Sequence, residues 1–176
     1  MEANRDKQLE YIDSIKEIEK KMLVYVDESG IEMNICKDRG WCKKGKILSG
    51  RRSGKYYQRT NIIAGLSGNE SIAPMVFNGS CNTELFNRWV EEFLIKKLKP
   101  GQVIIMDNAS FHKSEKTKLL IESVGCQLIF LPPYSPELNP IEKFWANMKR
   151  WIRENMAIFT NLHLALNAFF NIGNST

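Results

Sequence analysis

Val103-Ile104-Ile105-Met106-Asp107 is a run of four apolar residues closed by a carboxylate. Preceded by Pro100-Gly101 and followed by Asn108-Ala109, so short a continuous apolar run reads as a central strand covered on both faces of a sheet. In sheets flanked by helices, ligands collect outside the carboxyl ends of the parallel strands. Asp107 stands at such an end. Two other stretches end on an acid in a comparable way. Leu23-Val24-Tyr25-Val26-Asp27 reads as a strand ending on Asp27, with Gly30 marking a turn after it. Pro132-Pro133-Tyr134-Ser135-Pro136-Glu137-Leu138-Asn139-Pro140-Ile141-Glu142 reads as a stiff loop that opens a helix on Glu142.

Working outward from these stretches fills in the rest of the chain. Residues 6–22 read as a charged amphipathic helix with Leu9, Ile12, Ile15, Ile18 and Met22 at helical spacing. Two strands are expected over Tyr56–Leu66 and Ile72–Phe77, joined by a turn at Ser67-Gly68-Asn69. A helix capped by Asn82 should cover Thr83–Lys97 and bury Leu85, Phe86, Trp89, Val90, Phe93 and Leu94. After the strand at Gln102–Met106 come a helix near Glu115–Val124 and a strand at Gln127–Leu131. Helices over residues 140–155 and 161–171 complete the chain. Three strands, helix, strand, helix, strand, helix is an α/β order: an antiparallel meander followed by βαβ-type units. It predicts a mixed five-stranded sheet flanked by helices, the order of the ribonuclease H-like fold.

Composition bounds the function. A chain of 176 residues, 43% hydrophobic and 26% charged, is that of an ordinary globular domain. No apolar run approaches the roughly 20 residues that span a bilayer, so no membrane partner is expected. The charged start, Met1-Glu2-Ala3-Asn4-Arg5-Asp6, resembles neither a signal nor a transit peptide, which makes the cytoplasm the expected compartment. Cys36, Cys42, Cys81 and Cys126 form no CxxC pair, and with only His112 and His163 to help them a structural zinc site is not expected. The net charge of +5 is unevenly spread. Between Lys37 and Arg59 lie nine cations and one acid, a net +8, which suits a polyanion such as DNA. Lys43, Lys44, Lys46, Arg51, Arg52, Lys55 and Arg59 are the candidate phosphate contacts there, with Trp41, Tyr56 and Tyr57 placed to stack on bases or to fill the core.

Three acids brought together bind divalent metal through hard oxygen ligands. Each acid also has a plainer role to set against this. Asp27 could be a turn residue, and its neighbour Glu28 would point to the opposite face of a continuing strand. With Asn139 as N-cap and Pro140 at the first helical position, Glu142 falls where a capping-box glutamate bonds back to the cap. Lys149 and Arg153 continue the face of Glu142 and could follow a phosphate backbone, while Ile141, Trp145, Met148 and Ile152 form the buried stripe. His112, five residues after Asp107, is read as holding its loop and is left outside the catalytic set.

Val26-Asp27-Glu28-Ser29-Gly30, Arg39-Gly40-Trp41, Met106-Asp107-Asn108-Ala109, His112 and the run from Leu131-Pro132-Pro133-Tyr134 through Glu142-Lys143-Phe144-Trp145 together resemble the mariner-like DDE transposases, in their bacterial insertion-sequence branch. The 34 residues between Asp107 and Glu142 agree with the branch that uses Asp-Asp-Glu. The resemblance covers roughly residues 20–160 and implies a ribonuclease H-like catalytic core; the chain is accordingly divided into an N-terminal linker helix, residues 1–22, and a catalytic domain, residues 23–176. It implies Asp27, Asp107 and Glu142 as catalytic and metal-binding residues, holding two Mg²⁺ ions for which Mn²⁺ can substitute. It implies cleavage at transposon ends and strand transfer into target DNA, on the nucleoid, with double-stranded DNA as substrate and a homo-oligomer as a further form of partner. Residues 1–22 are too few for the helix-turn-helix modules that such enzymes carry, so an upstream helix-turn-helix polypeptide is an expected partner. The alternative is a non-catalytic remnant that binds DNA or pairs with a full-length partner. A phosphatase with Asp27 as nucleophile fits less well, because no second Asp follows two residues on.

Overall fold

The computed structural model describes residues 5–31, 44–45 and 59–173. Five strands, β1 (Leu23–Ile31), β2 (Thr60–Ser67), β3 (Glu70–Asn78), β4 (Val103–Met106) and β5 (Gln127–Phe130), form one sheet in the order β3-β2-β1-β4-β5. The pairs β1–β2 and β2–β3 are antiparallel, and β1–β4 and β4–β5 are parallel. This is the expected mixed five-stranded sheet. All four residues of β4 are buried, as its continuous apolar run requires of a strand covered on both sides.

Alternation along β1 assigns the two faces. Val24 and Val26, with Ile63, Ile104 and Met106, pack under helix α2 (Thr83–Trp89), the wider helical turn Val90–Leu94 that continues it, and helix α3 (Glu115–Ser123). On the other face, Ile62, Ala64 and Leu66 pack under α4 (Ile141–Asn155) and α5 (Leu162–Gly173), through Ile141, Trp145, Met148, Ile152, Leu166 and Phe170. A smaller cluster of Tyr11, Leu23, Val103, Ile105 and Leu131 docks the N-terminal helix α1 (Arg5–Ile15) on the sheet.

Four expectations are corrected. β1 does not end at Asp27: it pairs with β2 as far as Ile31 opposite Thr60, so Asp27 lies in mid-strand. Gly30 accordingly marks a close approach instead of a turn, since a Cβ there would lie 2.1 Å from Arg59 Nε. The first helix stops at Ile15 and packs on the sheet through Tyr11, which is buried, and Ile15, which is partly so, leaving Leu9 54% exposed. The helix from Thr83 widens after Trp89, with Ile95 N–H bonding Val90 O at 3.0 Å, and the added residue turns Phe93 out to 43% exposure. The turn at Ser67-Gly68-Asn69 is realised, with Gly68 at φ +59. No helix among the described residues is long and apolar enough to cross a membrane.

Candidate active site

The parallel register of β1 and β4 runs from Leu23 opposite Val103 to Val26 opposite Met106, and there β4 ends. Asp27 is the next residue of β1 and Asp107 the next after β4. The sheet therefore opens beside two carboxylates at one level. Leu131 N–H bonds Met106 O at 2.8 Å and the Asn108 amide bonds Leu131 O, so the proline-rich loop begins at the same point. That loop carries the chain to α4 and Glu142. Asp27, Asp107 and Glu142 line one cleft of about 400 Å³, together with Asn108, residues 131–136 and Asn139.

The three acids are held differently. Asp27 lies on the α4 face, 9% exposed, and accepts a hydrogen bond from Trp145 Nε1 at 3.2 Å. Burial, then the charges of Glu28, Glu142 and Asp107, push its carboxyl up to about 7. Asp107 is half exposed, and its Oδ1 faces His112 Nδ1 at 2.6 Å and accepts the Ala109 N–H at 2.9 Å. The His112 bond is the main cause that holds Asp107 below the usual carboxylate range. Glu142 is exposed in the first turn of α4.

The capping role weighed for Glu142 is not realised. Asn139 N–H, the group a capping-box glutamate would accept, bonds Pro136 O at 3.0 Å. The Asn139 side chain caps nothing: its Oδ1 is buried without a hydrogen-bond partner and its residue lines the cleft. By contrast, Asn82 caps α2 as expected, accepting the Leu85 N–H at 2.9 Å. The Glu142 carboxylate is thus available to the cleft.

This donor set suits a hard divalent cation. Three carboxylates face one cleft, a buried amide oxygen lacks a partner, and burial together with the charge of the neighbouring acids raises Asp27. As they stand, no three His, Cys, Asp or Glu side chains among the described residues lie close enough together to grip an ion.

His112, which the sequence left outside the catalytic set, is fully buried and bonds Asp107 on one side and Glu28 Oε1, at 3.1 Å, on the other. Burial works against its charge, but the bonds to Asp107 and Glu28 prevail and raise it to about 9. The signal was present in its spacing from Asp107, while the partner on β1 was not. Among the candidate DNA contacts, Lys44 and Arg59 are exposed, and Arg59 Nε donates to Asn61 Oδ1 at 3.2 Å, outside the cleft. Lys149 is half-buried and Arg153 exposed on α4. Lys43, Lys46, Arg51, Arg52 and Lys55 lie outside the described residues, as do Trp41, Tyr56 and Tyr57.

Residues 22–163 match the family model described as DDE superfamily endonuclease, and the chain belongs to that family. Its fold is ribonuclease H-like, that of the Mos1 mariner transposase catalytic domain. The crystal structure of that domain superposes with a TM-score of 0.64 at 13% identity, covering 100% of this chain and 85% of that one. The Mos1 transposase paired-end complex with left transposon end gives 0.73 at 15% identity, covering 100% of this chain and 57% of that one. The uncharacterized protein y4pE/y4sA of Sinorhizobium fredii is 36% identical over 75 residues, 41% of this chain and 53% of the relative. The chain thus spans a little over half the length of both the curated relative and the Mos1 protein in its paired-end complex.

Proposed function

We propose that the chain is the catalytic domain of a DNA transposase, cleaving and transferring DNA strands with Asp27, Asp107 and Glu142 as its metal-holding acids. One observation carries this most: acids from β1, the end of β4 and the start of α4 line a single cleft, and the capping bond that would otherwise occupy Glu142 is not made. Mg²⁺ is the proposed metal, with Mn²⁺ able to substitute, a choice supported by solved Mos1 structures described as complexes with Mn and with Mg; the proposed number is two ions. Held by Asp27, Asp107 and Glu142, such ions would supply activation of a nucleophilic oxygen and uptake of charge on the leaving oxygen of a phosphodiester.

The chain's own residues do the rest. Trp145 fixes the plane of Asp27 at the back of the cleft. Asp107 meets the solvent with one oxygen already bonded, and Glu142 faces it from a helix rooted in the core. Double-stranded DNA is the proposed substrate. Lys43, Lys44, Lys46, Arg51, Arg52, Lys55, Arg59, Lys149 and Arg153 are the proposed phosphate contacts, which give affinity without base specificity. A second copy and an upstream helix-turn-helix polypeptide are the proposed protein partners, at the nucleoid in the cytoplasm.

Plasmid nicking in Mg²⁺ or Mn²⁺ tests the reading. Asp107→Asn and Glu142→Gln should each lose at least about a hundredfold in rate, the scale on which electrostatic groups act in such sites. Activity of either variant near that of the unaltered chain would count against the triad. DNA binding without nicking by the unaltered chain is the outcome a non-catalytic remnant predicts.

A further inference from the structure

His112 joins the two faces of the sheet. Its ring packs against Phe86 and Phe111, each at a centroid distance of 4.5 Å, and is wholly buried. Nδ1 is 2.6 Å from Asp107 Oδ1, and Nε2 is 3.1 Å from Glu28 Oε1. Glu28 is next to Asp27 on β1 and points to the opposite face, toward α2. A neutral histidine that served only the core would pair one ring nitrogen with an acceptor such as a backbone carbonyl and the other with a donor. Here it uses two carboxylates, one of them brought 18% exposed beneath an apolar helix layer, where an unpaired charge is costly.

We infer that Glu28 and His112 form a positioning relay for Asp107, an inference that rests on the reading of Asp107 as a metal ligand. The geometry explains how. A carboxylate offers two oxygens, and Oδ1 receives both the imidazole and the Ala109 N–H. The two donors pin the carboxylate by one oxygen and leave Oδ2 for the cleft. Asp107 is otherwise half exposed on a loop, where its side chain would sample several rotamers. Glu28 anchors the far side of the imidazole and fixes which way the ring faces. Groups that orient metal ligands from behind contribute about 10–100-fold to metal affinity.

The test is Mn²⁺ binding, followed by electron paramagnetic resonance, on the whole chain and on four variants, with thermal unfolding of each. His112→Ala should weaken Mn²⁺ binding by about 10–100-fold. His112→Asn places an amide N–H near the position of Nδ1 and should recover much of that loss. Glu28→Ala should weaken binding less than His112→Ala, and Glu28→Gln, which keeps an acceptor oxygen, should stay near the unaltered chain. At saturating Mn²⁺, nicking by each folded variant should return toward the unaltered rate, a recovery that a purely structural role would not show. If His112→Ala does not fold, the two Glu28 variants decide. Unaltered affinity in folded His112→Ala and Glu28→Ala, or in Glu28→Ala alone where His112→Ala does not fold, overturns the relay alone. Failure of the unaltered chain to bind Mn²⁺ overturns the metal reading and the relay with it.

Discussion

Asp27 and Asp107 leave neighbouring strands at the same level of the sheet, yet their surroundings drive them in opposite directions. Asp27 sits under α4 with one indole donor and three acids around it, and its carboxyl is raised to about 7. Asp107 lies at the mouth with an imidazole and a backbone N–H, and it is held below the usual range. One side of the cleft therefore holds a carboxylate opposed first by burial and then by its neighbouring acids, which a cation would offset, and the other is already settled. The contrast shows that a set of like acids need not share a burden equally. Burial loads the strain onto the inner residue, while the outer one is kept charged and oriented.

The largest expected effect breaks the comparison at both ends. Asp27→Asn and Asp107→Asn should each abolish nicking, but their effects on metal-free stability should have opposite signs at pH 8. Asp27→Asn removes a strained charge and should raise the melting temperature. Asp107→Asn removes the charged partner of His112 and should lower it by roughly 2–4 °C for each kcal/mol lost. Thermal unfolding in chelator reads both, and a fall in both variants would show that Asp27 is not under strain.

The next effect lies in pH. Asp27 has a folded value raised from 3.8, so the stability it contributes is present below that value and lost as pH rises through about 7. His112, raised from 6.5 to about 9, contributes stability that is full below 6.5 and lost as pH rises through 9. Asp27→Asn should flatten the melting-temperature profile in the lower window and leave the decline of the upper one. Added Mg²⁺ should stabilise the unaltered chain more at pH 8 than at pH 5, and an equal shift at both would argue that Asp27 does not meet the ion.

Smaller effects sharpen the comparison away from the cleft. Asn82→Ala should cost about 1 kcal/mol, since its side chain closes the start of α2, and should leave nicking unchanged. Asn139→Ala removes no capping bond and should cost less in stability, which differential scanning calorimetry would resolve. Smallest of all, replacing Arg51, Arg52 and Lys55 with Ala should make the salt dependence of DNA binding shallower, by about 0.9 in log–log slope for each phosphate no longer neutralised.

The two asparagines also show what could be read from sequence. Local chemistry predicts a cap at both helix starts, and Asn82 makes it. At Asn139 the preceding loop decides: Pro136 O takes the backbone N–H, and the side chain is left in the cleft. Local signals named the strands because apolar runs and turns are written in adjacent residues. The length of β1 was missed because it is set by pairing with β2, far along the chain. The relay through His112 was missed for the same reason, since Glu28 and His112 meet only after β1 and β4 have paired. The apolar spacing of α1 misled because a helix needs a surface to bury against: Tyr11 finds one fully and Ile15 in part, while Leu9 and Ile12 stay exposed.

The parallel pairing of β1 with β4 has a consequence for how the chain comes to work. Parallel strands cannot be joined by a tight turn, and the intervening residues here include β2, β3 and α2. Contacts of such long range form slowly, because loop closure opposes them until the surrounding structure is in place. Asp27 and Asp107 reach one level only when that pairing is complete, and Glu142 arrives only after the loop beyond β5 has docked. An incompletely folded chain keeps its acids apart. Whatever the cleft does to its substrate begins only with the finished sheet.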